Sequence, residues 1–237
     1  MSLFGQLQAV KAVKFAYRPS SEVLGLFKTF RQMCNDAIRI AIAQDASSRF
    51  DLISKSYDYL KQCGIHTHYI LNACEVAFPI YRRWREDAPE EVRQILTLPY
   101  FRTRGVLEEL ARRRIPLPFV RRPFLKLDNQ TYKLDYLFLR IPIQARKFVF
   151  ITLNGSLYHR SFLADKSLKR GSITLTGSEV IIAFRREVEE VAPLGQTGID
   201  VNERNVTWSD TQGTTEQVSI SEVAEIKERY KAIRAEL

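Results

Sequence analysis

The chain has 237 residues, of which 45% are hydrophobic and 27% charged, and its net charge at pH 7 is +9. This composition is typical of a soluble globular protein, and no apolar run reaches the roughly 20 residues that a membrane helix needs. Three cysteines at irregular spacing indicate a reducing compartment, and the first residues lack the pattern of a signal peptide. We therefore expect a cytoplasmic protein that is not inserted in a membrane.

The charge is unevenly distributed along the chain. Residues 198–237 carry five Lys/Arg and eight Asp/Glu, a net charge of −3, which leaves +12 on residues 1–197. A strongly basic body predicts a polyanionic partner. A surface that merely keeps the protein soluble is the alternative that these counts leave open.

The first half of the chain predicts one strand followed by helices. Residues 7–17 alternate as a strand does, with Val13, Phe15 and Tyr17 on one face. Ser20 or Ser21 can cap a long amphipathic helix over residues 22–45. Further helices are predicted at residues 52–62, 67–84, 89–96 and 103–114, the second of them with a cap at Thr67 and a kink at Pro79.

Two of these helices end in clusters of basic residues, Arg82-Arg83-Trp84-Arg85 and Arg112-Arg113-Arg114. Cations near a helix C-terminus are stabilised by the helix dipole, which is the structural interpretation. The recurrence of such clusters at successive helix ends favours contact with phosphate groups.

After residues 115–118 the pattern changes from helical to β. Strands are predicted at residues 124–127, 133–141, 147–153, 156–162, 172–176 and 179–184, and Asn154-Gly155 is a hairpin signal. Short strands at this spacing suggest a closed or nearly closed antiparallel barrel, joined by the strand at residues 7–17 and interrupted by the helices. Such barrels commonly bind nucleic acid on one face, with cations contacting phosphates. The candidate phosphate-binding residues of the chain are Lys14, Arg18, Arg31, Arg82, Arg83, Arg85, Arg112, Arg113, Arg114, Arg121, Arg122, Lys126, Lys133, Arg140, Arg146 and Lys147.

A hairpin is predicted over residues 196–210, with Asp200 at the middle of its first strand, where we expect it to lie at the centre of a sheet. A third strand at residues 214–220 and a helix capped by Ser221 follow, after a short hinge at residues 193–195. This order begins a ribonuclease H-like fold, in which several carboxylates hold two divalent metal ions. By spacing alone, a single Asp in a hairpin is also compatible with a structural role. Glu203 and Asp210 are interpreted as solvated hairpin residues.

Cys63, His66, His68 and Cys74 invite comparison with a zinc site. The paired C-x-x-C spacing of zinc sites is missing, and Cys74 falls on the buried stripe of its helix. We expect a buried thiol and surface histidines here rather than bound zinc.

Taken together, the order of these parts resembles the TnpB (OrfB) family of RNA-guided nucleases, which bacterial and archaeal transposons encode and which are related to type V CRISPR effectors. The similarity covers nearly the whole chain, and its most specific motif is Gly198-Ile199-Asp200-Val201-Asn202. The other matching segments are residues 11–19 with the helix that contains Phe30, Asn35 and Ala37, residues 69–84 with their Arg-Arg-Trp-Arg end, and residues 123–128.

The resemblance implies an α+β fold in four parts. Residues 1–19 and 118–195 would form an OB-like wedge barrel, residues 20–117 an inserted helical recognition lobe, and residues 196–237 the start of a RuvC-like nuclease domain. The implied partners are a guide RNA and target DNA, with the protein associated with the nucleoid when it is bound to DNA. Asp200 would be the first catalytic acid and a ligand of Mg²⁺.

Family members continue beyond this point with a Glu, a final Asp and a four-cysteine zinc module. We therefore expect an N-terminal portion of a transposition-associated DNA endonuclease, inactive by itself. The alternatives are a nuclease-dead RNA-guided regulator that binds DNA, and a basic domain that binds an acidic protein.

Overall fold

The computed structural model describes residues 7–97, 105–188 and 195–235. The chain divides into two compact units, one formed by Gln8–Val188 and the other by Met1–Leu7 and Glu189–Leu237. Of the hinge expected at residues 193–195, only Gly195 lies within the described residues. No helix in these three ranges is long and apolar enough to cross a membrane.

Within residues 7–97 and 105–118, the structure describes five helices before the strand-rich part of the larger unit. They are α1 (Ser21–Gln44), α2 (Arg49–Lys61), α3 (His68–Glu86), α4 (Glu90–Thr97) and α5 (Val106–Arg112). The Ser20 hydroxyl caps α1 by accepting a hydrogen bond from the Val23 N–H at 3.3 Å. The predicted apolar stripe of α1 is confirmed, since each of its members is buried: Val23, Phe27, Phe30, Cys34, Ile38, Ala41 and Ile42. This stripe places the core of the helical part between α1, α2 and α3, which pack on one another.

Helix α3 differs from its prediction at its start. Thr67 occupies the N-cap position, but its side chain forms no capping hydrogen bond. Pro79 lies inside α3, which continues beyond it to Glu86. The Tyr69 hydroxyl donates to the Pro142 carbonyl at 2.5 Å, so α3 is joined directly to the strands.

The described residues of the larger unit also form seven strands and one further helix. They are β1 (Leu7–Ala16), β2 (Leu125–Leu127), β3 (Lys133–Asp135), β4 (Phe138–Gln144), β5 (Lys147–Thr152), α6 (Leu157–Ala164), β6 (Lys169–Leu175) and β7 (Glu179–Val188). One sheet has the order β1-β7-β6-β2, and a second has the order β3-β4-β5. The first strand therefore pairs with strands that follow the helices, and Val13, Phe15 and Tyr17 are buried as predicted.

The α+β class is confirmed, but the sheets formed by the described residues do not close into a barrel. The two sheets of the larger unit meet at an isolated bridge between Ala16 and Asn154 instead of a continuous ladder. A closed barrel needs hydrogen-bonded strands around its whole circumference. One predicted strand that would have contributed, at residues 156–162, is absent because this segment is helical.

Helix α6 replaces both that strand and the hairpin turn predicted at Asn154-Gly155. Ser156 has the extended backbone of an N-cap residue, and its N–H donates to Nδ1 of His159 at 3.1 Å. Gly155 is tightly enclosed, since a Cβ there would lie 2.8 Å from Cβ of His159 and 3.1 Å from the Phe15 ring. The glycine therefore serves a close approach of the backbone to the core, not a two-residue turn.

The smaller unit contains β8 (Thr197–Val201), β9 (Asn205–Asp210), β10 (Thr215–Ser219) and α7 (Ser221–Ala235). The predicted hairpin is present, with Asp200 opposite Thr207. The sheet order is β10-β9-β8, so β8 is an edge strand among the described residues. The expectation that Asp200 lies at the centre of a sheet is wrong for this part of the chain.

Candidate nucleic-acid interface

The basic cluster at the end of α3 is neutralised by neighbouring acids. Each arginine forms an ion pair: Arg82 with Glu86 (2.6 Å), Arg83 with Asp87 (3.5 Å) and Arg85 with Asp45 (2.6 Å). Two of these pairs are exposed and join residues four apart on the helix, so they contribute little to stability. The carboxylates of these pairs nevertheless compete with the phosphate groups of a nucleic acid for the same guanidinium groups.

The cluster at the end of α5 is also largely paired. Both Arg112 and Arg113 contact Oε1 of Glu109 at 2.6 Å, and Arg113 contacts Glu91 at 2.6 Å as well. Hydrogen bonds from Arg112 and then Arg113 lower the pKa of Glu109 to about 2. Arg114, which has a left-handed φ of 56°, forms no ion pair with a described residue.

Ion pairs also hold three of the cations predicted beside the barrel. Lys14 contacts Glu179 (3.3 Å), Lys126 contacts Glu75 (3.0 Å) and Lys147 contacts Glu22 (3.3 Å). Half of the sixteen candidates are therefore paired with carboxylates. The other half have no carboxylate partner among the described residues: Arg18, Arg31, Arg114, Arg121, Arg122, Lys133, Arg140 and Arg146.

Several cations without a carboxylate partner lie on one side of α1 and on residues 120–122, the segment before β2 that is hydrogen-bonded to α1. We call this set, Lys28, Arg31, Arg39, Arg121 and Arg122, the α1 basic patch. None of its five members forms an ion pair with a carboxylate in the described ranges. Lys28 and Arg39 were not among the candidates, although their spacing around Asn35 on the polar side of α1 is a helical signal that could have identified them.

Two contacts hold the segment before β2 against α1. The Asn35 side chain makes both hydrogen bonds that the Val120 backbone can offer: its Nδ2 donates to the carbonyl at 3.3 Å, and its Oδ1 accepts from the N–H at 2.7 Å. Arg31 donates from Nη1 to the Arg121 carbonyl at 3.4 Å. These hydrogen bonds connect the segment that carries Arg121 and Arg122 to the helix that carries the other three cations of the patch.

A second surface lies on the sheet β3-β4-β5, where three phenyl rings are exposed next to cations. Lys133 and Arg140 on this sheet were predicted from the sequence, whereas Phe138, Phe148 and Phe150 were not. Their alternation with buried residues of β4 and β5 was a signal that could have revealed them.

The cysteines and histidines do not form a metal site in the described part of the chain, which holds no group of three or more His, Cys, Asp or Glu side chains suited to a metal ion. Cys74 is buried as predicted, and its Sγ lies 3.3 Å from the Ser56 hydroxyl. His66 and His68 are half-buried rather than surface residues. Nδ1 of His68 lies 3.9 Å from Oδ2 of Asp128.

Asp200 is exposed on β8, and Oδ2 of its carboxylate accepts a hydrogen bond from Nδ2 of Asn202 at 3.1 Å. Glu203 pairs with Lys227 at 3.5 Å, and Oδ1 of Asp210 accepts hydrogen bonds from the backbone N–H groups of Gln212 and Thr214. Mg²⁺ prefers several oxygen ligands in octahedral geometry. The described residues supply a single free carboxylate at this position, which does not fit such a site, so we derive no catalytic step from it.

No protein-family model matches the chain, and a search of curated proteins found no significant match. The resemblance to the TnpB family therefore stays a prediction from the sequence motifs.

Proposed function

We propose that this chain is a nucleic-acid-binding N-terminal portion of a TnpB-like RNA-guided DNA endonuclease, and that it contacts guide RNA and target DNA through its basic larger unit. The observation that carries this proposal is the α1 basic patch. Its five cations have no carboxylate partners among the described residues, and hydrogen bonds from Asn35 and Arg31 fix the segment that bears Arg121 and Arg122.

Charge compensation favours the α1 basic patch over the helix-end clusters as the phosphate-binding surface. An arginine already paired with a carboxylate must lose that partner before it can bind phosphate, whereas an unpaired one gains a partner and releases counterions from the nucleic acid. The patch is therefore a better phosphate-binding surface than the helix-end clusters, in which Arg82, Arg83, Arg112 and Arg113 are all paired.

The proposed relation to a nuclease depends on Asp200. In the proposed assignment it is the first acid of a RuvC-like site, and Mg²⁺ would bind once further carboxylates complete that site. Since the described residues give Asp200 no carboxylate partner, we propose that this chain binds without cleaving. The same observation favours a second candidate function, a nuclease-dead regulator that binds DNA under the direction of a guide RNA.

The decisive experiment measures RNA affinity as a function of salt. The variant Arg121→Gln/Arg122→Gln removes two unpaired cations, and the matched control Arg82→Gln/Arg83→Gln removes two paired ones. For a single strand, we expect the slope of log K against log salt to fall by about 1.4 in the patch variant, because each phosphate contact contributes about 0.7. The control should change the slope by clearly less.

Three results would overturn parts of the proposal. If the protein freed of nucleic acid shows no salt-sensitive RNA binding, the nucleic-acid function fails and the alternative of a basic domain for an acidic protein is favoured. If both double variants reduce the slope equally, the patch is not the binding surface. If the chain alone cleaves DNA with Mg²⁺, the claim that it binds without cleaving is wrong.

A further inference from the structure

The sheet β3-β4-β5 has one buried face and one exposed face. Leu139 and Ile141 of β4 are buried in the core. The residues that alternate with them on β4 and β5 expose three phenyl rings: Phe138 (58% exposed), Phe148 (43%) and Phe150 (71%). Side chains of paired residues project to the same side of an antiparallel sheet. The pairs Phe138–Thr152, Arg140–Phe150 and Pro142–Phe148 therefore place all three rings on the face that carries Arg140.

Two cations, Lys133 and Arg140, share this face with one acid, Asp135, which lies opposite Phe138. Lys133 of β3 lies directly opposite Arg140 of β4, an arrangement of like charges that destabilises a sheet. Asp135 is the sole acid of residues 133–152, and it forms no ion pair with a described residue. The Arg140 guanidinium lies over the Phe148 ring, 4.5 Å from its centroid. A bound anion between Lys133 and Arg140 would relieve their repulsion.

Exposed rings and uncompensated cations together restrict what can cover this face. A second copy of the chain would bring the same face, with two cations and one acid, and the excess of positive charge would oppose its binding. A nucleic-acid duplex offers phosphates, but its bases are stacked inside and cannot reach the phenyl rings. A single strand offers both phosphates and unstacked bases, and aromatic platforms with adjacent cations are how proteins hold such strands.

We infer that the exposed face of the sheet β3-β4-β5 binds single-stranded nucleic acid, with unpaired bases stacked on Phe138 and Phe150 and a phosphate held between Lys133 and Arg140. This inference rests on the proposed function and narrows its ligand to unpaired nucleotides. Phe138 and Phe150 are diagonal neighbours across the strands, about 7–8 Å apart. That separation suits consecutive bases of an extended strand, while Phe148 is already covered by Arg140.

The test compares affinities for a fluorescein-labelled uridine oligonucleotide of about 20 nucleotides, longer than one such platform needs, and for an RNA duplex of the same length. We expect Phe150→Ala to weaken binding of the single strand about tenfold, the loss typical of one stacked base, and to leave duplex binding unchanged. Phe150→Tyr, which keeps a ring, should bind like the wild type. The matched control is Phe50→Ala, because Phe50 is also 71% exposed but lies on α2.

A spectroscopic measurement reports stacking independently of affinity. In a Phe150→Trp variant, the added indole emission should be quenched when the uridine oligonucleotide binds, after subtraction of the signal from Trp84 and Trp208. A Phe50→Trp variant should show no such quenching. Thermal unfolding midpoints equal to that of the wild type would show that the variants are folded.

The outcomes separate this inference from the proposed function. If Phe150→Ala binds the single strand as tightly as the wild type while Arg121→Gln/Arg122→Gln binds it weakly, the sheet inference is overturned and the proposed function stands. If Phe150→Ala weakens single-strand and duplex binding equally, stacking of unpaired bases is overturned. If the wild type binds neither probe, the proposed function and the inference fail together. If Phe150→Ala abolishes a dimer seen by sedimentation without affecting RNA affinity, a second copy covers the face and the inference is wrong.

Discussion

The Asn35 side chain forms two hydrogen bonds with the backbone of Val120, a residue 85 positions later in the chain. This pair connects the middle of α1 to the segment that carries Arg121 and Arg122. The contact is half-buried, so its loss would leave backbone groups of Val120 with poor access to water.

Replacing Asn35 should therefore affect both stability and binding. We expect Asn35→Ala to lower the free energy of unfolding by about 1–3 kcal/mol, because two hydrogen bonds are lost. RNA binding should weaken as well, since Arg121 and Arg122 lose their fixed position. Urea unfolding and fluorescence anisotropy measure the two effects. Gln44→Ala is the control, because Gln44 is exposed on the same helix and its side chain forms no hydrogen bond with a described residue; an equal loss of stability in both variants would contradict this role for Asn35.

The Glu109 carboxylate should make stability dependent on acid pH. Its pKa is lowered from 4.5 to about 2 by Arg112 and Arg113, so its contribution to stability is present above pH 4.5 and is lost as the pH falls through about 2. We expect Glu109→Gln to melt below the wild type at pH 6 and to approach it near pH 2. Circular dichroism melts across this range measure the difference.

Glu108→Gln removes the same charge one residue earlier, where no ion pair is formed with a described residue. Its melting midpoint at pH 6 should lie closer to the wild type than that of Glu109→Gln. An offset for Glu109→Gln that stays constant from pH 6 to pH 2 would show that the two arginines do not hold this carboxylate.

Gly155 should be intolerant of a side chain. We expect Gly155→Ala to cost about 1–3 kcal/mol of unfolding free energy, because the added methyl group collides with His159 and Phe15. Gly177→Ala is the control: a Cβ there meets nothing within 4 Å, so that variant should be neutral or slightly stabilised. Chemical denaturation of the two variants measures the contrast, and equal stability would mean that His159 and Phe15 do not enclose Gly155.

The three cysteines should react with iodoacetamide in a fixed order. Burial raises the pKa of Cys34 to about 12 and raises the pKa of Cys74, so both thiols are poorly ionised as well as inaccessible. Cys63 is half-buried, and we expect it to be labelled first in the native protein. Peptide mass spectrometry after brief labelling measures the order. Labelling of Cys34 at the rate of Cys63 without urea would contradict the packing of α1 against α3.

Local periodicity was sufficient to predict the elements that bury one face and expose the other. The apolar stripe of α1 and the alternation of Val13, Phe15 and Tyr17 follow from the geometry of one helix and one strand, and both are confirmed. The segment at residues 156–162 was predicted wrongly, because its few apolar residues fit either period. In the helical form of this segment, the Gly155 backbone approaches Phe15 closely. Phe15 is 140 positions away in the chain, so local periodicity carries no signal of that approach.

The candidate interface likewise combines features that follow from neighbouring residues with features that depend on distant parts of the chain. A basic body, an acidic end and the hairpin that carries Asp200 could all be predicted from the sequence, because composition and alternation are properties of neighbouring residues. It could also have shown the Arg82–Glu86 pair, whose members are one helical turn apart. Which cations remain without a carboxylate partner could not be predicted in this way, since acids far away in the chain neutralise Arg85, Lys126 and Lys147. An ion pair depends on distance in space, and folding brings those charges together.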